Sequence, residues 1–527
     1  LVKGFRQIAV LTALSRVLGM LRDMAFAYFL GAGGLMDSWA IAFKIPNLAR
    51  RLFGEGAAAS SLIPVYSEQL HRDPRKANRL AMSVVTAVFV LLAAVTLLGE
   101  AFIWLYYHFA ATHDGARLKL ALTGLMLPYM VLICVVAILG GTLNTHRHFA
   151  APAAAPAVLN VFLIGGLCLG SWILALPQRT TVFVVSAAVV FAGLVQIAMQ
   201  VPPLRRLGVS LRPAWDVRSE PFRRVLLLMG PMVLGLTATQ LSTLINDFTA
   251  LWLSGSAEKG ESFTLLGHAI RYPLWEGAVS HLFYAQRLYQ LPLGLFGVSL
   301  ATAIFPDMSA DAARRDFESL GRHISWGMRC TVFVALPATV GLWLVSRPVV
   351  AVILERGEFT RADSMATAVT LSFYVLGLAG YFAQQILTRA FYALQESSVP
   401  ARTAVIAVGL SLVLNLVLVW PLGSGGLAAA TALGSYVQVA MLAVALRRRL
   451  GSAVLSGIGR ALRDTALATL GMALAVGCVQ WVLSGASRVL SLGVAVLAGV
   501  CVFGLLSALL RIEMLSLFLG KRRRTAV

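Results

Sequence analysis

Apolar stretches long enough to cross about 30 Å of hydrocarbon, roughly 18 residues or more each, follow one another along the whole chain. No polar connection between them exceeds about 30 residues, too little for a soluble domain of ordinary size. Only 13% of the residues are charged, against roughly 25% in soluble domains. The reading is an all-α polytopic membrane protein with 14 transmembrane helices. The spans fall near residues 5–30, 36–66, 79–108, 117–142, 152–176, 180–203, 222–254, 277–306, 320–346, 363–394, 399–420, 425–447, 462–484 and 488–517. The first carries Arg16, Arg22 and Asp23 in its interior and lacks a small-residue cleavage site. It therefore reads as a span and not as a secretory signal.

The net charge of +21 suggests nucleic acid until its distribution is read. The basic runs HRDPRKANR, RRLGVSLRPAWDVRSEPFRR, RRRL and KRRR all follow even-numbered spans, whereas GAGG and PLGSGG follow odd-numbered ones. That is the positive-inside pattern. It implies no nucleic-acid partner and places both the N- and C-termini in the cytoplasm. Cys134, Cys168, Cys330, Cys478 and Cys501 lie in or beside apolar spans. They have neither zinc nor disulfide spacing and read as small buried hydrophobes.

An internal repeat organises the spans. ASSLIPVYSEQ, from Ala59, aligns with ATAIFPDMSAD, from Ala301; GTLNTHRHFAAP, from Gly141, aligns loosely with RAFYALQESSVP, from Arg389. The offsets are 242 and 248 residues. Two six-helix lobes in parallel repeat, plus two C-terminal helices, are expected: 1–203, 204–450 and 451–527. Transporters with such repeats commonly bind substrate at the interface of the halves.

Charge inside these spans is the functional signal, because an arginine at the bilayer centre costs about 2.5–3.5 kcal/mol even on the lenient insertion scale. Residues seven apart lie about 20° from alignment on a helix, so Arg16 shares a face with Asp23, and Asp37 with Lys44 and Arg51, Glu55 following. Arg16–Asp23 and Lys44–Asp37 could be structural ion pairs. The cations Arg16, Arg22, Lys44, Arg50, Arg51 and Arg287 nevertheless outnumber the nearby carboxylates. A surplus of buried guanidinium suits an anion, and a phosphate fits its fork. Asn246, Asp247, Asn415 and Thr431 offer oxygens that could hold Na⁺, with polar helix–helix contact as the plainer reading. No phosphate-binding loop or catalytic triad is evident. An ion gradient or the membrane potential would then supply the drive, and no cofactor is expected.

The runs SRVLGMLRD, DSWAIAFKIPNLARRLFGEGAAASSLIPV, YAQRLYQLPLGLFGVSLATAIFP, LERGEFTRADS and RAFYALQESSVP closely resemble, in order, segments of the MviN/MurJ family of lipid II flippases. The resemblance implies a transporter, not an enzyme. It would move undecaprenyl-pyrophosphate-linked peptidoglycan precursor, lipid II, from the cytoplasmic to the outer leaflet by alternating access through a cationic central cavity. It also implies a bacterial plasma (inner) membrane location, membrane lipids and cell-wall synthesis machinery as neighbours, and a lipid-tail groove on the last two helices. Family arginines match Arg16, Arg22, Arg50 and Arg287, and functional acids match Asp37 and Glu55. Three features depart from the family pattern: Gln286 where some relatives carry Asp, Asn415 where some carry a carboxylate, and a long connection, SGSAEKGESFTLLGHAIRYPLWEGAVSH, expected as an outer-face lid. The alternatives are an exporter of another lipid-linked oligosaccharide or a drug in the same superfamily, and a membrane enzyme acting on the same lipid.

Overall fold

A segment that crosses a bilayer must satisfy its own backbone N–H and C=O groups, and a helix does so internally. The structure, a computed structural model, describes residues 2–50, 59–111, 113–265 and 267–515. Its helices are α1 (Val2–Leu30), α2 (Gly34–Ala49), α3 (Ala59–Arg72), α4 (Pro74–Phe109), α5 (Asp114–Met126), α6 (Pro128–Thr145), α7 (Ala150–Cys168), α8 (Gln178–Arg206) and α9 (Glu220–Trp252). After four short strands come α10 (Ala278–Pro292), α11 (Val298–Ala313), α12 (Phe317–Leu344), α13 (Ser346–Leu354), α14 (Arg361–Leu376) and α15 (Leu378–Ala393). The last four are α16 (Ser398–Leu422), α17 (Ser424–Leu450), α18 (Ile458–Val482) and α19 (Arg488–Leu509). Among the described residues, 10 helices are long and apolar enough to cross a membrane, or 11 when α14 and α15, bent by 41° at Gly377, count as one.

Helix boundaries follow local chemistry. Asp73 accepts hydrogen bonds from the backbone of Arg75 and Lys76 ahead of Pro74, whose missing N–H is harmless in the first turn. Thr360 and Asp363 cap α14 reciprocally. Exposed tryptophans gather where helices end: Trp104 on α4, Trp172 just past α7, Trp252 on α9, Trp343 on α12, Trp420 on α16 and Trp481 on α18. Tryptophan at helix ends suits a membrane–water interface; Trp215, in the basic connection between α8 and α9, and Trp275 are exposed too.

The chain divides into two compact units. The first comprises Leu1–Leu244, Ser254–Ser280 and Arg356–Phe359. In it α7 packs on α1 and α8, α2 on α5, and α4 on α6. Phe26, Trp39 and Phe43 form an aromatic core, with ring centroids 4.2 and 5.0 Å apart along the row. Glycine permits close approach: a Cβ on Gly166 of α7 would sit 3.1 Å from that of Ala188 on α8. Gly31 adopts φ +64°, and a Cβ there would meet the Glu358 carbonyl at 2.6 Å. The long connection folds as β1 (Ser254–Gly255) paired in parallel with β4 (Leu274–Trp275), and β2 (Ser262–Leu265) antiparallel to β3 (His268–Arg271). It is pinned to the start of α5 where the Gly115 N–H donates to Glu258 at 3.0 Å. These strands depart from the otherwise all-helical expectation.

The second unit comprises Ile245–Leu253, His281–Glu355 and Thr360–Val527. Ile304, Met308, Ile324, Leu387, Phe391 and Leu442 knit α11, α12, α15 and α17. The last two helices belong to this unit: α18 packs along α12 and α19, with Met472, Val476 and Ala495 meeting Val345 before α13. Cys134 and Cys330 are buried as expected, but Cys478 and Cys501 are exposed on α18 and α19, flanks suited to hydrocarbon.

Candidate functional site

Arg22 and Asp23 meet in the C-terminal third of α1, buried among its neighbours. The Arg22 Nε and Nη2 donate to Asp23 Oδ1 at 3.0 and 2.6 Å, and Nη1 donates to Asn160 Oδ1 on α7 at 2.9 Å. Asn160 in turn donates to the Ser15 carbonyl at 3.1 Å. Arg22 and Asp23 are 9% and 8% exposed. A buried pair survives desolvation only with good geometry and further hydrogen bonds, and Asn160 supplies one. Helical spacing favours Arg16 as the partner of Asp23; the observed pair is Arg22–Asp23. A guanidinium can fold back on the next residue, whereas Arg16 is exposed along α1. Asn160 was legible as the lone amide in the apolar run AVLNVFLIGG.

Asp37, at 5% exposure, is also held by hydrogen bonds. Its Oδ2 accepts from the Gly277 N–H at 2.7 Å, and its Oδ1 from the Ser280 N–H at 2.7 Å and hydroxyl at 2.5 Å. Gly277 and Ser280 flank the first residues of α10, so Asp37 caps a helix start supplied from elsewhere in the chain. A carboxylate there satisfies orphan donors and meets the positive end of the helix dipole. Lys44 is half-buried on α2. Arg50, also half-buried, donates through Nε to Asn47 Oδ1 at 2.8 Å. Arg51 and Glu55 lie outside the described residues.

In the second unit, the Arg287 guanidinium sits 4.9 Å from the Phe283 ring centroid, a cation–π contact on one helix face. Gln286, the position where an acidic neighbour was expected in relatives, donates instead to the Tyr374 hydroxyl at 3.0 Å. Three of the four residues weighed as a cation site, Asn246, Asn415 and Thr431, are joined in a hydrogen-bonded chain. Asn415 Nδ2 donates to Asn246 Oδ1 at 2.8 Å, Asn246 Nδ2 to Thr431 Oγ1 at 2.6 Å, and Thr431 Oγ1 to the Leu427 carbonyl at 3.0 Å. Asn246, Asp247 and Asn415 are at most 2% exposed. Among the described residues no cluster of three His, Cys, Asp or Glu side chains has metal-site geometry.

In the first unit Arg22 is held by a carboxylate and an amide, and in the second Arg287 lies on an aromatic ring.

A sequence model of the family described as lipid II flippase MurJ matches residues 26–506. A probable lipid II flippase MurJ of Vibrio cholerae serotype O1 is 31% identical across 92% of this chain and 90% of its own length. The lipid II flippase MurJ of Burkholderia cenocepacia is 31% identical across 83% of this chain and 82% of its own. A solved structure of lipid II flippase MurJ in an inward closed conformation shares the fold, with TM-score 0.78, 22% identity, and coverage of 96% of this chain and 99% of that one. An inward-facing multidrug MATE transporter aligns with TM-score 0.65 at 14% identity over 84% of this chain and 96% of its own. With a family match spanning nearly all of its helices, the chain belongs to the lipid II flippase MurJ family.

Proposed function

We propose that this protein is a transporter that moves lipid II across the membrane, from the cytoplasmic to the outer leaflet, by alternating access through a cationic central cavity. The single observation that carries this reading is the family match over residues 26–506, and the membrane-embedded guanidinium groups give it chemistry. Arg16, Arg50 and Arg287 engage the pyrophosphate and its sugar–peptide head as charge-assisted donors, with Lys44 and Arg51 beside them. Arg22, already bonded to Asp23 and Asn160, contributes charge from a fixed position and keeps two of its five N–H donors for substrate. Asp23, Asp37 and Glu55 orient those arginines or act as gates whose contacts break and re-form between states, each state being favoured by its own set of contacts.

Fourteen spans, in lobes 1–203 and 204–450 with a lipid-tail groove in 451–527, remain the proposed arrangement. Basic connections at one set of helix ends support cytoplasmic termini in a bacterial inner membrane. The membrane potential acting on the anionic substrate biases transport. Sodium held by Asn246, Asp247, Asn415 and Thr431 is the lesser reading, because both polar atoms of the Asn246 amide are engaged by neighbouring side chains. Membrane lipids surround the protein, and cell-wall synthesis machinery that consumes the precursor is its proposed neighbour.

The test is outer-leaflet exposure of labelled lipid II in cells depleted of their own flippase, comparing this chain with Arg287→Ala at matched expression. Exposure restored by the parent and lost in the variant is the expected result. No restoration by a well-expressed parent would overturn the substrate and favour another lipid-linked glycan. Restoration by both would leave a flippase but remove Arg287 from the path.

A further inference from the structure

Gln196 and Gln200 stand one turn apart on α8, 1% and 0% exposed. The Gln196 Nε2 donates to the Ala155 carbonyl on α7 at 2.6 Å. Its Oε1, and both Oε1 and Nε2 of Gln200, have no hydrogen-bond partner among the described residues. Pro156 adds another acceptor, since a proline inside α7 has no N–H to give the carbonyl four residues earlier, that of Pro152. The groups are neighbours: a Cβ on Gly140 of α6 would lie 3.3 Å from Pro152 Cβ and 3.7 Å from Gln200 Oε1. Two helices, α7 and α8, thus bring carbonyl and amide groups close together beside Gly140 of α6, where leaving them unmatched is unfavourable.

The internal repeat supplies a control. At the offset of 242, Gln438 corresponds to Gln196, and Arg447 and Arg448 to Arg205 and Arg206. At the offset of 248, Pro400 corresponds to Pro152, Ala404 to Pro156 and Gln384 to Val136. In the second unit the Gln384 Nε2 donates directly to Gln438 Oε1 at 3.0 Å. The first unit has valine where that donor would stand, and an extra proline that frees a carbonyl.

We propose that one or two ordered water molecules bind between α6, α7 and α8, bridging Gln196 Oε1, the Gln200 amide and the Pro152 carbonyl. The donor set selects the ligand. Three acceptor oxygens need donors, while Gln200 Nε2 needs an acceptor, so the occupant must do both, and water with two to four polar partners does. An alkali cation would satisfy the oxygens but face the amide N–H groups. Water inserted beside a proline is also a recognised cause of helix bending, which makes this seam the more deformable of the two counterparts.

The test is a density map of the intact protein in lipid, at a resolution that orders water, for the parent and for Val136→Gln. The expected result is one or two parent peaks at about 2.7–3.2 Å from Gln196 Oε1 and Gln200. In Val136→Gln the peak beside Gln196 is expected to be lost, with the new amide in its place. The parent map decides the matter alone if the variant fails to fold. No peak, with the two glutamines bonded to protein groups, would overturn the proposal. So would a peak at shorter metal–oxygen distances that changes when sodium is exchanged for potassium.

Discussion

The two units hold their buried polar groups by different means. The first relies on charge: Arg22 against Asp23, and Asp37 against the amides of Gly277 and Ser280. The second adds neutral amide and hydroxyl contacts, in the Asn415–Asn246–Thr431 chain and the Gln384–Gln438 pair, although Asp247 and Asp311 are buried there as well. A buried charge stripped of its partner stays charged or must change protonation, and either is expensive. A buried amide stripped of its partner loses far less. The charged contacts of the first unit are therefore the brittle ones, and the neutral contacts of the second tolerate exchange among polar and apolar side chains of similar volume.

Asp23→Ala gives the largest expected effect, since it leaves Arg22 uncompensated. Breaking a buried pair at one end destabilises by about 3–5 kcal/mol, to be read as a loss of unfolding free energy of the purified protein in lipid nanodiscs. A loss under about 1 kcal/mol would mean that Asn160 and the surrounding helices suffice for Arg22, and the contrast would fail at its strongest point. Asp37→Ala should follow at about 2 kcal/mol, the upper range for a lost helix cap. Asp37→Asn separates charge from geometry here, because an amide can accept from Ser280 but carries no charge for the helix dipole. It should recover about half of that loss.

Much of this contrast was legible in residue types but not in partners. The charged first two spans and the neutral polar residues of spans seven, eleven and twelve can be read directly from the chain. Helical spacing joins Arg16 to Asp23, yet Arg22 holds Asp23; it gives no sign of the start of α10, which engages Asp37. Periodicity reports which residues share a face of one helix. It carries no information about Asn160, 138 positions from Arg22, or Ser280, 243 from Asp37. Element placement was more legible than pairing because each span is dictated by its own hydropathy. The strands between α9 and α10 were not, since pairs of two and four residues are too short for a period-two pattern.

Asn415→Leu tests the second unit. It leaves Asn246 Oδ1 without its donor and should destabilise by about 1–2 kcal/mol, well below Asp23→Ala. The same network sharpens the question of sodium. A ligand that binds only the folded state raises its stability in proportion to RT ln(1 + [L]/Kd). Although Asn415 Oδ1 has no hydrogen-bond partner among the described residues, the bonds already made by Asn246 and Thr431 should keep melting temperatures within about 1 °C in sodium chloride and in choline chloride of equal ionic strength. A rise of several degrees in sodium, abolished by Asp247→Asn, would place a cation there.

The smallest effect lies at the surface of the second unit. Asp316 caps α12, accepting from the Ser319 N–H at 3.0 Å and hydroxyl at 2.6 Å. The Ser319 hydroxyl, then the Ser319 N–H, hold its carboxyl below the usual range. Because the folded state favours the ionised form, the cap contributes fully above the unfolded value, about 3.9, and that contribution is lost as pH falls through the lower folded value. Asp316→Asn should therefore weaken the parent slightly at pH 7, and the gap between the two should close below about pH 4. Unfolding midpoints measured from pH 7 to pH 3 would show it. A gap that persisted unchanged into acid would mean that the asparagine fails for geometric reasons, and that charge contributes nothing to this cap.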